Sequence, residues 1–410
     1  MFDPYKVRND FPMFKNKTQM QGHDLVFLDN ASTTYKPQSV IDAMNYYNEH
    51  ETSNSARGDY DTMYHVDVKI AEVRQQVANF INAEEDEIVF TSGDTEALNL
   101  VAFGYFANLL KKDDEILITV AEHASNTLPW YKLQERIGCK VKFIPLTKEG
   151  RLTLENVEKS VTEKTKVIAV ANVTNVLGFY IDLQPICEFA HKRGILVVCD
   201  GAQSVPHNKT DVKQLDVDFL GFSGHKMLGP TGIGVLFGRR ELLAKTEPFI
   251  LGGGMNEVFE MDGSYVLHMA PAKLEAGTKN IQGIYGLGAA IEYINKIGIE
   301  NIAKYERELR AYAISKMKEI KDIIIYNENA EAGIISFNIK GVFAQDLATL
   351  LNSKGIAVRS GNHCAKNLKK QINEIATVRA SIYFYNTKEE IDTLVEALKE
   401  GGNFLDAYFA

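Results

Sequence analysis

Short apolar runs recur between residues 87 and 237, at 87–91, 115–120, 140–145, 166–171, 195–199, 219–222 and 234–237. Each is four to six residues long, the length of a buried strand and too short for a helix. Between them, apolar positions at helical spacing predict helices over 95–108, 128–137, 154–160 and 184–193, the last stopped by Gly194. Strands alternating with helices predict an α/β fold: a mostly parallel sheet covered by helices. In such sheets ligands gather outside the carboxyl ends of the strands. Ser92, Glu122, Asn172, Asp200 and Ser223 all follow a run directly, so a site is expected there.

After residue 290 the texture changes. A helical stretch covers 293–320 with Gly298 as a break, and strands at 334–339 and 375–385 flank a helix at 344–353. A final helix over 388–399 has Thr387 as N-cap and Glu390 three residues on, with Ile391, Leu394, Val395 and Leu398 on one face. Fewer strands and more surface helix predict a smaller α+β domain. The expected division is 1–24 as an N-terminal segment joining the small domain, 25–290 as the large domain, and 291–410 as the small one. A chain of 410 residues is long enough for two domains.

Composition narrows the class. Hydrophobic residues at 45% and charged residues at 24% are ordinary for a soluble globular protein. No apolar run approaches the roughly 20 residues of a membrane span. The start, Met1-Phe2-Asp3-Pro4-Tyr5-Lys6, has no apolar signal core and no Arg-rich pattern, so a cytoplasmic location is expected. A net charge of −9 without a basic stripe argues against a nucleic acid partner. Phosphate-loop and dinucleotide fingerprints are missing. Cys139, Cys187, Cys199 and Cys364 form no C-x-x-C pair and no zinc-site spacing, so no metal is expected. The first three read as core filler, whereas Cys364 sits in a polar turn where a thiol is a liability unless it is used. A reducing compartment follows.

The run Gly221-Phe222-Ser223-Gly224-His225-Lys226-Met227-Leu228-Gly229 places one lysine after a hydroxyl and an imidazole on a glycine-punctuated turn. Asp200 ends an earlier apolar strand. A lysine holding pyridoxal phosphate covalently needs this setting: phosphate donors beside it, and a carboxylate opposite to keep the pyridine nitrogen protonated. Alone, Ser-Gly-His-Lys is a weak signal, since most lysines are surface residues. Thr95, at a strand–turn–helix junction, can cradle a phosphate with the helix-start N–H groups, although a plain capped turn explains it equally. His123 at a strand end can stack on an aromatic cofactor. Asn175 and Gln203 follow further strands.

Taken whole, the chain resembles the fold-type I pyridoxal phosphate enzymes of the class V aminotransferase superfamily, and more narrowly the Suf-type (group II) cysteine desulfurases. The resemblance runs almost end to end, through Val7-Arg8-Asn9-Asp10-Phe11-Pro12, Phe27-Leu28-Asp29-Asn30-Ala31-Ser32-Thr33, Glu122-His123, Ser223-Gly224-His225-Lys226, Glu275-Ala276-Gly277-Thr278, Arg359-Ser360-Gly361-Asn362-His363-Cys364-Ala365, and Arg379-Ala380-Ser381 with Tyr385-Asn386-Thr387. It implies that Lys226 holds the cofactor, Asp200 pairs with the ring nitrogen, and His123 stacks on the ring as acid/base. Gln203 would bond the phenolate oxygen. Thr95, Ser223 and His225 would hold the phosphate, with Thr278 reaching it from the other subunit of a homodimer. Arg379, with Asn175 and Arg359 near it, would bind the carboxylate of L-cysteine, and Cys364 would be the nucleophile that becomes a persulfide for a sulfur-acceptor protein. Arg359 and His363 are expected to favour its thiolate. Alternatives are a selenocysteine lyase or other C–S lyase of the same fold, and a weakly catalytic paralogue serving a sulfur-transfer complex.

The chain departs from the family pattern in places. Asp94 replaces a usual threonine beside the phosphate and is expected to cap its helix instead of facing that phosphate. Ala56 and Tyr60, around Arg57-Gly58, replace histidines, as does Asn362. Leu251-Gly252-Gly253-Gly254-Met255-Asn256, Phe343 and Gln345 also differ.

Overall fold

The computed structural model describes residues 2–55 and 59–399, so Ala56, Arg57 and Gly58 lie outside the described residues. Seven strands form the central sheet: β1 (Ile88–Thr91), β2 (Glu115–Thr119), β3 (Lys140–Ile144), β4 (Thr165–Ala171), β5 (Leu196–Asp200), β6 (Phe219–Ser223) and β7 (Gly234–Gly238). Each matches an expected run to within one or two residues. Their order is β1-β7-β6-β5-β4-β2-β3, with β7 antiparallel to both neighbours and every other pair parallel. Side chains on alternate positions enter opposite apolar layers. In β4, Ile168 and Val170 join one core, whereas Val167 and Ala169 join the other. Burial on both faces is why these strands read as continuous apolar runs. The edge strand β3 differs, with Lys140 and Lys142 exposed and paired to Asp113 and Glu115.

Register sets up the site. Ala171, Asp200 and Gly221 lie in one row across β4, β5 and β6, and Thr91, Gly234 and Ser223 lie in another. Gly234 faces the turn after β1 so closely that a Cβ would stand 2.4 Å from Gly93 Cα. A side chain there would push the turn after β1 off the sheet. The expected helix over 95–108 is one run from Asp94 to Leu109, with a π-helical turn at Val101–Phe106. Helices Gln38–Tyr46 and Asp61–Ile81, not read from the sequence, pack with Ile281–Ile297 against one face.

The second sheet has the order β8 (Ile323–Ile325), β9 (Ile334–Ile339), β11 (Thr377–Ser381), β10 (Arg359–Gly361), all antiparallel. The expected strand at 375–385 is shorter because Tyr383, Phe384 and Tyr385 leave the sheet. Phe384 and Tyr385 pack edge-on against Phe11, and Tyr385 stacks on Tyr35, where its hydroxyl accepts the Tyr35 N–H at 3.0 Å. The helical stretch breaks at Gly298 (φ 88°) as expected. Thr387 and Glu390 form the expected reciprocal cap: Glu390 N–H to Thr387 Oγ1 at 3.4 Å, and Thr387 N–H to Glu390 Oε2 at 3.1 Å. Val26–Phe27 pairs with Ile356–Ala357, Val26 joining this second core, whereas Phe27, Val7 and Phe11 pack in the large one. Among the described residues, no helix is long and apolar enough to cross a membrane.

Candidate active site

A cavity of about 190 Å³ opens at the carboxyl ends of the central strands. It is lined by Thr95, His123, Asn175, Asp200, Gln203, Ser223, His225 and Lys226 from the large sheet and by Arg359 and Arg379 from the second. The residues given a role in the sequence therefore meet in one place, except for Cys364, His363 and Thr278. Cys364 stands beside the cavity, and Thr278 is exposed and lines no part of it.

Lys226 follows β6 on a single 3-10 turn. The turn is pinned through the His225 carbonyl, which accepts from Thr33 Oγ1 and Thr34 Oγ1 at 3.1 Å each and from Thr34 N–H at 3.0 Å. Burial lowers the Lys226 ammonium from its ordinary range, and Asp200 and then Asp94 oppose that shift. Burial, helped by the charges of Lys226 and Lys36, pushes the His225 imidazole down to about 4, so it is neutral at pH 7. Ser223 Oγ accepts the Asp94 N–H at 2.9 Å, tying the lysine turn to the helix start. Asp200 Oδ1 accepts the Ala202 N–H at 3.0 Å. Gln203 Nε2 donates to the Ala31 carbonyl at 2.8 Å, leaving its second N–H for the cavity.

His123 Nδ1 accepts the Ser125 N–H at 3.2 Å, which puts the proton of the neutral ring on Nε2. Burial lowers its pKa against the pull of Asp200. The Ser125 hydroxyl bridges Thr95 Oγ1 at 2.7 Å and His123 Nδ1 at 3.1 Å. Sequence reasoning passed over Ser125, because a serine two residues after a strand-end histidine reads as turn chemistry. Glu122 is the hidden support of this corner. Its carboxyl accepts from Thr119 Oγ1 (2.6 Å), Asn126 Nδ2 (2.9 Å) and the Ala171 N–H (2.8 Å), and burial pushes it up to about 7.

Asp94 does not cap its helix, contrary to expectation. The N-cap is Gly93, with no side-chain cap, and the Asp94 carboxyl turns inward over Gly221 toward Asp200. Gly93 takes the cap position because its φ of 161° is extended backbone, which leaves Asp94 already inside the helix.

The second sheet closes the cavity. Arg379 is 1% exposed; its Nη1 donates to the Asn175 carbonyl at 2.9 Å and its Nη2 to Asp29 Oδ1 at 3.0 Å and Ser32 Oγ at 2.9 Å. Arg359, opposite it across β10 and β11, donates to Ser32 Oγ at 3.2 Å and places Nη2 3.5 Å from Cys364 Sγ. Asp29 and Ser32 hold the two arginines, a role that nothing in their sequence segment signals.

Cys364 is exposed on a loop whose backbone turns left-handed at Gly361 (φ 112°), His363 (φ 50°) and Cys364 (φ 59°). Three bonds hold it: Cys364 N–H to Asn362 Oδ1 (3.1 Å), Ala124 N–H to the Cys364 carbonyl (2.8 Å), and Asn175 Nδ2 to the His363 carbonyl (2.8 Å). His363 was expected to help the thiolate, and it cannot. Its ring is buried with Nε2 near Thr377 Oγ1 at 3.0 Å, and burial with the charges of Arg379 and Arg359 pushes it down to about 3. Arg359 is the cation at the sulfur.

The class-V aminotransferase family profile matches residues 26–394, and the chain belongs to that family. It is 41% identical over 406 residues to a protein of Halalkalibacterium halodurans named "Probable cysteine desulfurase", covering 99% of each chain. An apo cysteine desulfurase from Thermococcus onnurineus superposes with a TM-score of 0.92 at 38% identity, over 98% of this chain and 99% of that one. The cysteine desulfurase CsdA of Escherichia coli gives 0.91 at 35%, over 99% of each.

Proposed function

We infer that this chain is a pyridoxal-phosphate-dependent cysteine desulfurase, converting L-cysteine to L-alanine and leaving a persulfide on Cys364. The observation that carries this reading is the one exposed thiol of four, held beside a lysine-bearing cavity with Arg359 Nη2 3.5 Å from its sulfur. The names of full-length relatives at 35–41% identity support it.

The residues fit the cofactor. Lys226 offers the amine, Asp200 a carboxylate for the ring nitrogen, Gln203 an N–H for the phenolate, and Thr95, Ser223 and His225 a surround for the phosphate. Asn175 Oδ1 and Arg379 Nε are buried without partners, as expected of a site made for a polar occupant. Bound there, pyridoxal phosphate supplies an electron sink for the substrate α-carbon. His123, with its proton on Nε2, is the acid/base. Arg379 orients the substrate carboxylate by bidentate bonds, with Asn175 and Arg359 beside it. The Cys364 thiolate attacks the sulfur of L-cysteine. The carbon–sulfur bond breaks, its electron pair stays with carbon, a proton completes alanine, and the sulfur remains on Cys364.

The reading extends to partners. Phe249, Ile250, Leu251, Phe259, Met261 and Met269 are exposed on and around the hairpin of Asn256–Phe259 and Tyr265–Leu267, an apolar surface suited to a second copy of the chain. Thr278 lies outside its own cavity, on a turn anchored by the buried Glu275–Arg74 pair at 2.7 Å. In a homodimer, Thr278 of the partner subunit would reach the phosphate. The exposure of Cys364 suits hand-over to a sulfur-acceptor protein, for iron–sulfur cluster assembly or another sulfur-transfer pathway. Free thiols suit the cytoplasm.

The test compares wild type with Cys364→Ser on L-cysteine and on selenocysteine, reading alanine and one added sulfur on Cys364 by mass spectrometry. Wild type should gain the sulfur, and the serine variant should keep its cofactor but release no alanine from cysteine. A wild type that acts only on selenocysteine and never gains sulfur overturns the reading.

A further inference from the structure

Two carboxyl groups meet at the floor of the cavity. Asp200 ends β5, and Asp94 reaches toward it from the start of helix Asp94–Leu100; both line the cavity and each is 5% exposed. Gly221 makes this approach possible. It is paired with Asp200 across β5 and β6, and a Cβ there would stand 2.3 Å from Asp94 Oδ1. Any side chain at 221 would therefore force the Asp94 carboxyl to move. The Asp94 N–H is already satisfied by Ser223 Oγ, but Asp94 Oδ1 is buried with no donor. An acceptor left in that state is costly unless the carboxyl itself carries a proton and donates.

Two carboxylates in one buried site cannot both ionise. Burial first, and then the charge of Asp200, hold the Asp94 carboxyl well above its usual range, while Lys226 opposes them. The other titratable groups near the pair are Glu122 and His123 from the loop after β2, with Cys199 beside Asp200 on the opposite face of β5. Lys226 is the near cation, and one negative charge on the pair balances it.

We propose that Asp94 and Asp200 share one proton, Asp94 O–H donating to the Asp200 carboxylate, and that Asp94 is a positioning residue for Asp200 made possible by Gly221. Asp200 is then held by two donors, the Ala202 N–H and the Asp94 O–H, and cannot rotate away from a ring nitrogen presented to it. This last role rests on the cofactor reading above; the acid pair and its glycine do not.

Two measurements on the purified protein test the pair. The first is thermal unfolding of Gly221→Ala, Asp94→Ala and the double variant. Gly221→Ala should lower the midpoint markedly in the wild type and much less beside Asp94→Ala, and equal losses in both backgrounds would show that Asp94 does not occupy that space. The second is infrared absorption at neutral pH, where Asp94→Asn should remove a protonated-carboxyl band; other buried acids such as Glu122 leave their bands in both samples. An unchanged spectrum would mean that Asp94 is ionised, and the proposal fails. Cofactor affinity by equilibrium dialysis supplies the functional arm. Asp94→Asn, which keeps a donor, should stay within about threefold of wild type, and Asp94→Ala should bind about tenfold more weakly. Tightening of about 100-fold in Asp94→Asn would show that a second negative charge had been opposing the cofactor. A wild type that binds no cofactor at all would sink the cofactor reading and leave the infrared and unfolding results to judge the pair.

Discussion

The cavity floor and the Cys364 loop are built in opposite ways. The floor is made of strand ends whose neighbours fix them in register: Asp200 against Ala171 and Gly221, Ser223 against Gly234. Its residues are buried and bonded to backbone. The thiol loop exposes its sulfur, is left-handed at three positions, and is tied down by three hydrogen bonds with Asn362, Ala124 and Asn175. On the function proposed above, the floor has to hold a ring in one orientation and profits from a rigid sheet, whereas the thiol has to stay reachable. The contrast separates holding from transfer, and substitutions on the two sides should fail differently.

The largest effect is expected on the floor. Lys226→Ala should abolish borohydride-stable attachment of cofactor to the chain and lower turnover by about 10⁴-fold or more, the scale of losing a covalent group. Absorbance and intact mass after reduction check it. A reducible adduct that survives in Lys226→Ala would place the attachment elsewhere.

Next is the seam between the two sides. Arg379 lies between them, bonded to the carbonyl of Asn175, whose side chain anchors the thiol loop, and to Asp29 and Ser32. Arg379→Lys keeps a charge but loses the two-pronged geometry, so kcat/KM for L-cysteine should fall by about 100-fold with cofactor content unchanged. Loss of cofactor in parallel would assign Arg379 to the floor.

How far this contrast was legible follows from the same physics. The seven strands stood out because burial on both faces writes continuous apolar runs, and Asp200, Ser223 and Lys226 were found by their place at strand ends. The three-residue strands β8 and β10 are too short to carry a period. Asp94 was misjudged because its direction depends on Gly221, far away in sequence and adjacent only in the sheet. His363 was misjudged for a related reason. Proximity to Cys364 in sequence said nothing of Thr377 and the two arginines that surround its ring.

That surround has a pH signature. Folded His363 stays neutral to about 3 and His225 to about 4, whereas both take up a proton near 6.5 when unfolded. Below that value the unfolded chain binds more protons, so stability is full above about pH 6.5 and falls as the pH drops. His363→Gln should recover about 2 kcal/mol at pH 5, relative to its effect at pH 8, and leave the His225 share in place. Urea unfolding at the two pH values measures it. Identical effects at both would mean that His363 titrates normally and the loop is more open than described.

The smallest effect tests whether the loop is held at all. Asn362 Oδ1 accepts the Cys364 N–H at 3.1 Å, a local bond on an exposed turn. Asn362→Ala should cost about 1 kcal/mol or less of stability, since water can take over an exposed N–H. Cofactor content should not change, because the bond lies outside the floor. The readout is therefore the rate at which Cys364 gains sulfur, measured by rapid quench and mass spectrometry. If the turn positions the thiol, that rate should drop several-fold, by the order of one lost hydrogen bond, while cofactor binding and substrate affinity stay level. An unchanged rate would show that the Ala124 and Asn175 anchors suffice, and that Asn362 serves only the fold of the turn.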